Sequence, residues 1–387
     1  MQSQKFDLII VGAGLAGSSL AAALGKSHLS IALVETRPPQ PAAGWDARIY
    51  AVSPTNAAFL SQIGVWQRLD HNRICPVHDM EIHGDLRARL DFSAYQAGVG
   101  ELAWIVESSQ MQGELWETAK RLPNLTLFCP AQPRSLSIAT DCARLALADG
   151  RNLEASLIVA ADGANSWVRE AAGIGARFTP YGECGVVANF RTERDHLGKA
   201  FQWFRPDGVL AYLPLPGRHI SMVWSTPEAH AQSLTELPAN ALCQRVGEAG
   251  AERLGALELL TPAAAFPLRL MRVAQTTAAR VALIGDAAHA IHPLSGHGIN
   301  LGFQDSAVLA ETLAGARPQQ DCGDASLLRR YARTRAEEVA LLQYTTHGLQ
   351  RLFKTQSGPV AFLRNAGLNL TNRLPVIRNA LVRYALG

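Results

Sequence analysis

Asp286 stands near the head of the run Val281-Ala-Leu-Ile-Gly-Asp-Ala-Ala-His-Ala-Ile-His-Pro-Leu-Ser-Gly-His-Gly-Ile-Asn-Leu-Gly302. An apolar strand over 281–284 would present its carboxylate where the backbone turns. A glycine-rich bend follows, and then a helical pattern over about 299–313. A carboxylate at a strand end can accept hydrogen bonds from the hydroxyls of a polyol. Amides at a helix start can hold partial negative charge. The pair suits a flavin, with Asp286 on the ribityl chain and the amides of Gly298, Ile299 and Asn300 at the pyrimidine edge of the ring. Taken alone, the run also fits a tight strand–helix turn with a capping aspartate.

The opposite end of the chain carries complementary chemistry. Phe6-Asp-Leu-Ile-Ile-Val11 reads as a buried parallel strand, followed by Gly12-Ala-Gly14-Leu-Ala-Gly17, an alanine-rich helix to about residue 26, and a second strand over 30–35. In such a fingerprint the glycines serve a tight turn, close approach of backbone to a pyrophosphate, and close helix–strand packing. Glu35 closes the second strand, where an acid binds the ribose hydroxyls of an adenosine. Strand, helix, second strand and acid stand in order, so the segment predicts dinucleotide binding. A third element, Leu157-Ile-Val-Ala-Ala-Asp-Gly-Ala-Asn-Ser-Trp-Val-Arg169, runs a strand into Asp162 and Gly163, then a helix start. Locally it reads equally well as a strand–turn–helix capped by Asn165 or Ser166.

Together the three segments resemble the flavin-dependent aromatic hydroxylases, the group A flavoprotein monooxygenases, and within them the ubiquinone-biosynthesis hydroxylases. Asp46-Ala-Arg-Ile-Tyr-Ala-Val-Ser53 is similar to that family's D-x-R-x-x-A-[LV]-S stretch, and Ile105-Val-Glu-Ser108 to its V-V-E-N run. The resemblance implies FAD contacts at Gly12, Gly14, Leu15, Ala16, Gly17, Glu35, Arg48, Gln110, Asp162, Asp286, Pro293, Gly296, Gly298, Ile299 and Asn300. It departs from the family at His297, where glutamine is usual beside the flavin, and at Ser109, where arginine often stands. His297 could make a flavin property pH-sensitive.

The same resemblance implies the reaction: NADH or NADPH reduces FAD, O2 adds, and a C4a-hydroperoxide hydroxylates the ring of a polyprenylphenol of ubiquinone biosynthesis. Such chemistry belongs to the cofactor, so no catalytic residue is nominated. A flavin reductase or dehydrogenase on the same scaffold, or a non-catalytic FAD-binding member of a quinone-synthesis complex, are the alternatives. Tyr212, Pro214, Trp224 and His297 are candidate substrate contacts. The strands holding the first three, with Trp203, Phe204, Leu213 and Val223, fit a prenylphenol pocket or plain sheet core.

The elements expected to position these groups form an α/β fold. A Rossmann-type FAD-binding domain (1–74, 101–183 and 267–325) receives a mostly antiparallel sheet as substrate domain (75–100 and 184–266, with a helical insert over 237–254). C-terminal helices follow over 326–387. At 387 residues and 48% hydrophobic composition, the chain can bury a core of that size. There is one phosphate-binding fingerprint, so a nicotinamide cofactor would use a surface without its own.

Composition narrows the setting. Six cysteines without a C-x-x-C pair suit a reducing compartment. No leader-like start and no apolar run of about 18–20 residues is present, so a cytoplasmic location is expected. His289, His292 and His297 lack a completing set of metal ligands, and no metal is expected. The net charge is +3, yet after Glu338 the only charged residues are Arg351, Lys354, Arg364, Arg373, Arg378 and Arg383. With apolar residues at helical spacing, this basic tail suits peripheral contact with the inner membrane or with proteins of a ubiquinone-biosynthesis complex; it equally suits helices packed on the body. No recognition motif accompanies the charge, so nucleic acid is not an expected partner.

Overall fold

The computed structural model describes residues 3–42, 44–85, 88–291, 298–317, 320–354 and 358–374. Its first sheet places strands in the order Thr277–Ala278, Val281–Leu283, Asn152–Ala160, Gln4–Val11, Ile31–Val34 and Leu125–Phe128. The neighbours from Val281–Leu283 to Leu125–Phe128 are parallel. Their apolar runs are almost wholly buried because both faces are covered. On one face lie helices Leu15–Ala23, Ser108–Lys120 and Gly298–Ala314, with Leu20, Leu24, Trp116 and Leu309 against Leu8, Leu33 and Leu157. On the other lies an antiparallel pair, Pro133–Ile138 and Ala143–Leu147, with Leu145, Val168 and Ile174 in its core.

A second sheet runs in the order His289–Ala290, Ala264–Val273, Ala176–Thr192, His219–Pro227, Gly208–Leu215, Lys199–Arg205, Asp79–His83 and Arg89–Ser93, with Leu257–Leu259 beside Ala176–Thr192. It is antiparallel except where Lys199–Arg205 meets Asp79–His83. The expected combination of Rossmann-type unit, inserted mostly antiparallel sheet and C-terminal helices is therefore what the chain adopts. Three details differ from expectation. The sheet begins at Ala176 and continues to Val273, beyond the 184–266 stretch; its outer ends interleave arginines with apolar residues and so carry no continuous apolar run. Cys75–Val77 joins neither large sheet but pairs with Ala103–Glu107, which in turn pairs with Ile49–Val52. The helical insert is two helices, Glu228–Glu236 and Ala239–Ala249, starting earlier than expected and broken at Leu237-Pro238. The residue before a proline is driven out of helical conformation, and Leu237 is extended.

Helix Ala325–Lys354 spans both units. Its Leu327, Leu328 and Tyr331 are buried against the first unit, while the Gln343 and Gln350 side-chain amides donate to Met271 O at 3.0 Å and Glu183 Oε1 at 2.9 Å in the large sheet. Helix Gly358–Arg373 then covers the far edge strand. Asn369 and Asn372 accept the amides of Arg89 and Asp91 at 3.1 and 3.0 Å, and Arg364 pairs with Asp85. Side chains thus satisfy backbone groups that an edge strand leaves open.

Candidate functional site

The fingerprint loop is shaped by close backbone contacts. Gly12 has φ +102°, and a Cβ there would lie 2.4 Å from Ala161 O. A Cβ on Gly17 would lie 2.0 Å from Gly12 O, so the helix start sits directly on the loop. Gly14 differs: no heavy atom stands within 4 Å of a Cβ built there. That open side is where a pyrophosphate can approach the backbone. Leu15 is buried beneath the loop, and Ala16 O accepts Ser306 Oγ at 2.9 Å. Glu35 Oε2 accepts the Ala13 amide at 2.7 Å, while Oε1 holds Thr36 and Arg37. A carboxylate oxygen with one such partner retains capacity for a ribose hydroxyl.

The structure brings the two aspartate segments against this loop. Ala161 N donates to Val11 O at 2.8 Å, which sets Asp162 beside Gly12. Asp162 Oδ2 accepts Val168 N at 3.0 Å; its Oδ1 is buried with no partner. Ser166 caps the short helix Trp167–Ala171 by accepting Arg169 N. Arg169 in turn donates to Ala164 O at 3.1 Å and Ala287 O at 3.0 Å, joining the Asp162 and Asp286 segments. Burial lowers the pKa of this guanidinium, and the nearby Asp162 charge opposes the shift.

Asp286 follows Gly285, which is wedged against helix Leu15–Ala23: a Cβ on Gly285 would stand 3.1 Å from Ala16 Cβ. The Asp286 side chain reaches solvent yet lies deep among protein atoms. This crowding pushes its pKa up, with His289 and Arg48 pulling it back down. Beneath the turn, Asp305 Oδ2 accepts Gly285 N at 2.9 Å and pairs with His289 Nε2 at 2.7 Å, while Oδ1 meets Arg335 Nε at 2.7 Å. Burial alone would lower the His289 pKa, but Asp305 outweighs it and the net shift is upward. For Asp305 burial acts to raise the pKa, and His289 and Arg335 bring it below the ordinary carboxylate range.

Arg48 lies across from this turn, exposed, with its Cζ 5.6 Å from the Phe266 ring centroid. Its segment is held by Glu107, buried and bidentate to Arg73 at 2.6 and 2.8 Å, which also accepts Asp46 N. Gln110 donates to Asp70 O at 3.3 Å, and its Oε1 is buried without a partner. The amides of Gly298, Ile299 and Asn300 open helix Gly298–Ala314, where first-turn amides have no partner within the helix. The Asn300 side chain is a joint to the 46–53 segment: it donates to Ala51 O at 2.8 Å and accepts Ser53 N at 3.0 Å. Pro293, Gly296 and His297 lie outside the described residues.

These features fit a flavin nucleotide: a space over Gly14, two orphaned buried acceptors on Asp162 and Gln110, and the solvent-facing Asp286 and Arg48. Asp305 and Arg335 are supporting residues that motif reading passes over, and Glu107, though part of the V-V-E-N-like run, carries no role until its partners are seen. Asp305 had a visible signal, a carboxylate among Gly302, Phe303, Ser306 and Leu309 on a largely apolar helix. Among the described residues no group of three or more His, Cys, Asp or Glu is arranged to hold a metal ion. No described helix is long and apolar enough to cross a membrane.

The substrate candidates need correction. Tyr212 and Trp224 are buried beneath helices Glu228–Glu236 and Ala239–Ala249; Tyr212 donates to Val246 O at 2.5 Å, and Trp224 packs edge-on to His230. Pro214 shares the parity of Tyr212 and is also buried. Side chains alternate along a strand, so these three belong to the helix-covered face. The opposite face carries half-buried Val187, Val209, Ala211, Leu213 and Val223, and also Phe266, which is 43% exposed. Leu213 packs near Ile49, Ala51 and Ile105 at the end nearer the Arg48 segment, and Val209 near Phe353 and Leu368 at the other. An apolar strip therefore runs from the Arg48 segment to the C-terminal helices.

Comparison with known proteins extends the geometry. The family model described as FAD binding domain matches residues 5–343. The ubiquinone hydroxylase UbiL of Rhodospirillum rubrum is 34% identical over 98% of this chain and 89% of its own length. The 3-demethoxyubiquinol 3-hydroxylase of Escherichia coli is 32% identical over the whole of both chains. Among solved structures, Pseudomonas aeruginosa PqsL in complex with 2-aminobenzoylacetate superposes with TM-score 0.80 at 21% identity, over 94% of this chain and 99% of that one. The p-nitrophenol 4-monooxygenase PnpA of Pseudomonas putida does so with TM-score 0.79 at 19% identity, over 99% and 98%.

Proposed function

Because the chain belongs to the ubiquinone-biosynthesis hydroxylase family of FAD-dependent aromatic monooxygenases, we propose that it hydroxylates the ring of a polyprenylphenol intermediate of ubiquinone biosynthesis, using NADH or NADPH and O2. The observation that carries this reading is end-to-end likeness to two quinone-pathway hydroxylases, joined to an apolar strip that leads away from the flavin-facing residues. When bound, FAD supplies the redox chemistry that activates O2. Glu35 and the open side of Gly14 hold the nucleotide half, and Asp162 and Asp286 the segment nearer the ring. Arg48 lies on the side facing the large sheet. The Val187, Ala211, Leu213 and Val223 side chains orient the phenol and its isoprenoid tail and exclude water from the reacting ring.

The purified enzyme should oxidise NAD(P)H faster when a prenylphenol is added and should place one atom of labelled O2 in the product. Val223→Trp, which fills the strip, should raise KM for the prenylphenol about tenfold or more while FAD stays bound. Unlabelled product would reject oxygenation. An unchanged KM in Val223→Trp would reject the strip as the tail site.

Peripheral contact with a membrane forms part of the same proposal. Leu370 and Leu374 are 59% and 38% exposed one turn apart on and just after helix Gly358–Arg373, in a stretch of sequence without acidic residues. Arg364 does not contribute to that surface, since it is buried against Asp85. Leu370→Glu with Leu374→Glu should reduce sedimentation with anionic vesicles; equal sedimentation would remove the idea.

A further inference from the structure

Helix Ala325–Lys354 lies outside the fingerprint segments, yet two of its side chains reach the turn that carries Asp286. Tyr331 is 1% exposed and donates to Leu283 O at 2.8 Å, at the end of the strand leading into that turn. Four residues on, Arg335 is 3% exposed. Its Nε meets Asp305 Oδ1 at 2.7 Å, and the same guanidinium donates to Leu301 O at 3.4 Å, Gln304 Oε1 at 3.2 Å and Glu338. A spacing of four places both residues on one face of the helix. Asp305 is the link, because its other oxygen holds the Gly285 amide and His289.

We propose that Tyr331 and Arg335 are positioning residues for the flavin: through Leu283 O and Asp305 they hold the Gly285–Asp286 turn in place. The inference rests on the reading of Asp286 as flavin-facing. The turn is bounded on one side by Ala16 and Gly302; on the other, the Asp305 carboxylate, paired with His289 and Arg335, holds the Gly285 amide, and Arg169 holds Ala287 O. Removal of Arg335 strips Asp305 Oδ1 of its guanidinium partner and leaves His289 to meet the buried carboxylate alone. The carboxylate then re-pairs or draws water, and the hydrogen bond to Gly285 N is the contact that shifts. Lysine cannot replace the guanidinium, which engages four acceptors in a planar fork. A displacement of Asp286 by a fraction of an ångström is enough to weaken a hydrogen bond to the ribityl chain.

The test compares the holoenzyme with Arg335→Leu, Arg335→Lys, Tyr331→Phe, Asp286→Ala and Arg364→Leu. Arg364 serves as control, since it anchors helix Gly358–Arg373 at the opposite edge of the large sheet. The readouts are the rate of FAD release on dilution, followed by recovery of flavin fluorescence, and the midpoint potential of the bound flavin. Arg335→Leu should release FAD about tenfold faster or more and shift the potential, with Arg335→Lys between it and the parent. Arg364→Leu should lower the unfolding temperature and leave both readouts unchanged. If Arg335→Leu fails to fold, Tyr331→Phe carries the test, because it loses one hydroxyl and no charge. Parent-like release and potential in the folded variants would overturn the proposal, as would equal acceleration by Arg364→Leu. Should Asp286→Ala itself retain FAD like the parent, the failure lies in the flavin-facing reading of Asp286.

Discussion

Gly12→Ala is expected to cost both fold stability and FAD, whereas Gly14→Ala costs FAD alone. At Gly12 the backbone has φ +102°, and the added Cβ would sit 2.4 Å from the carbonyl oxygen and 2.6 Å from the carbonyl carbon of Ala161. The left-handed conformation costs about 1–2 kcal/mol for a residue with a Cβ. Overpacking against a rigid neighbour adds about 1–3 kcal/mol. Neither is relieved by a side-chain rotation, because the obstructing atoms are backbone of the Asp162 segment. The Gly12 and Ala161 loops must move apart, and both face the proposed nucleotide. Gly14 is extended, with φ −69°, and its Cβ would enter empty space. Alanine there should leave the unfolding temperature of the FAD-free protein unchanged and raise the FAD dissociation constant about tenfold or more, by filling the space a pyrophosphate needs. Thermal unfolding and fluorescence titration of the two variants check the contrast. Gly14→Ala with parent-like affinity would show that the diphosphate does not lie over that residue.

Asp286→Ala is expected to come off the purification column nearly colourless and fully folded. A hydrogen bond to a charged group contributes about 1.5–3 kcal/mol, so its loss should weaken FAD about ten- to a hundredfold. The FAD-free fold should not suffer. The surroundings raise the Asp286 pKa, so ionisation is harder in the folded chain than in the unfolded one. A carboxyl with a raised folded-state pKa stabilises the fold only below its unfolded value, near 3.9, and that benefit is lost as pH rises through the folded value. At neutral pH the charge therefore opposes folding until a ligand meets it. Without FAD, Asp286→Asn should unfold at the same or a higher temperature than the parent at pH 7, and the difference should shrink as pH falls toward 4. A variant that is less stable at pH 7 than at pH 4, relative to parent, would contradict the sign.

Much of the set proposed to face the flavin could be nominated early because it is written in local chemistry. Gly12, Gly14, Glu35, Asp162 and Asp286 sit at strand ends or in the turns that follow them, and Gly17 in the first turn of helix Leu15–Ala23. Short-range rules of turns and helix starts therefore identify them before any tertiary contact is known. Asn300 was only half legible. The helix start it marks is local, but the destination of its side chain, Ala51 and Ser53, lies some 250 positions away in sequence. The substrate face was less legible still. Alternation along Gly208–Leu215 separates Tyr212 from Leu213 without saying which of the two faces helices Glu228–Glu236 and Ala239–Ala249 will cover.

By itself the amino-acid order determined that a dinucleotide fingerprint and two strand-end aspartates exist, and that parallel and antiparallel units alternate along the chain. Periodicity and turn chemistry act over a few residues, and they survive without knowledge of neighbours. Tertiary structure alone decided that Asp305 and Arg335 support the Asp286 turn. It also decided that Glu107 anchors the Asp46 loop by accepting the Asp46 amide while it pairs with Arg73, and that Val223 rather than Trp224 faces the apolar strip. Those assignments depend on which groups meet across space once the sheets are covered, and a buried charge or an alternating strand has no partner until the chain has closed around it.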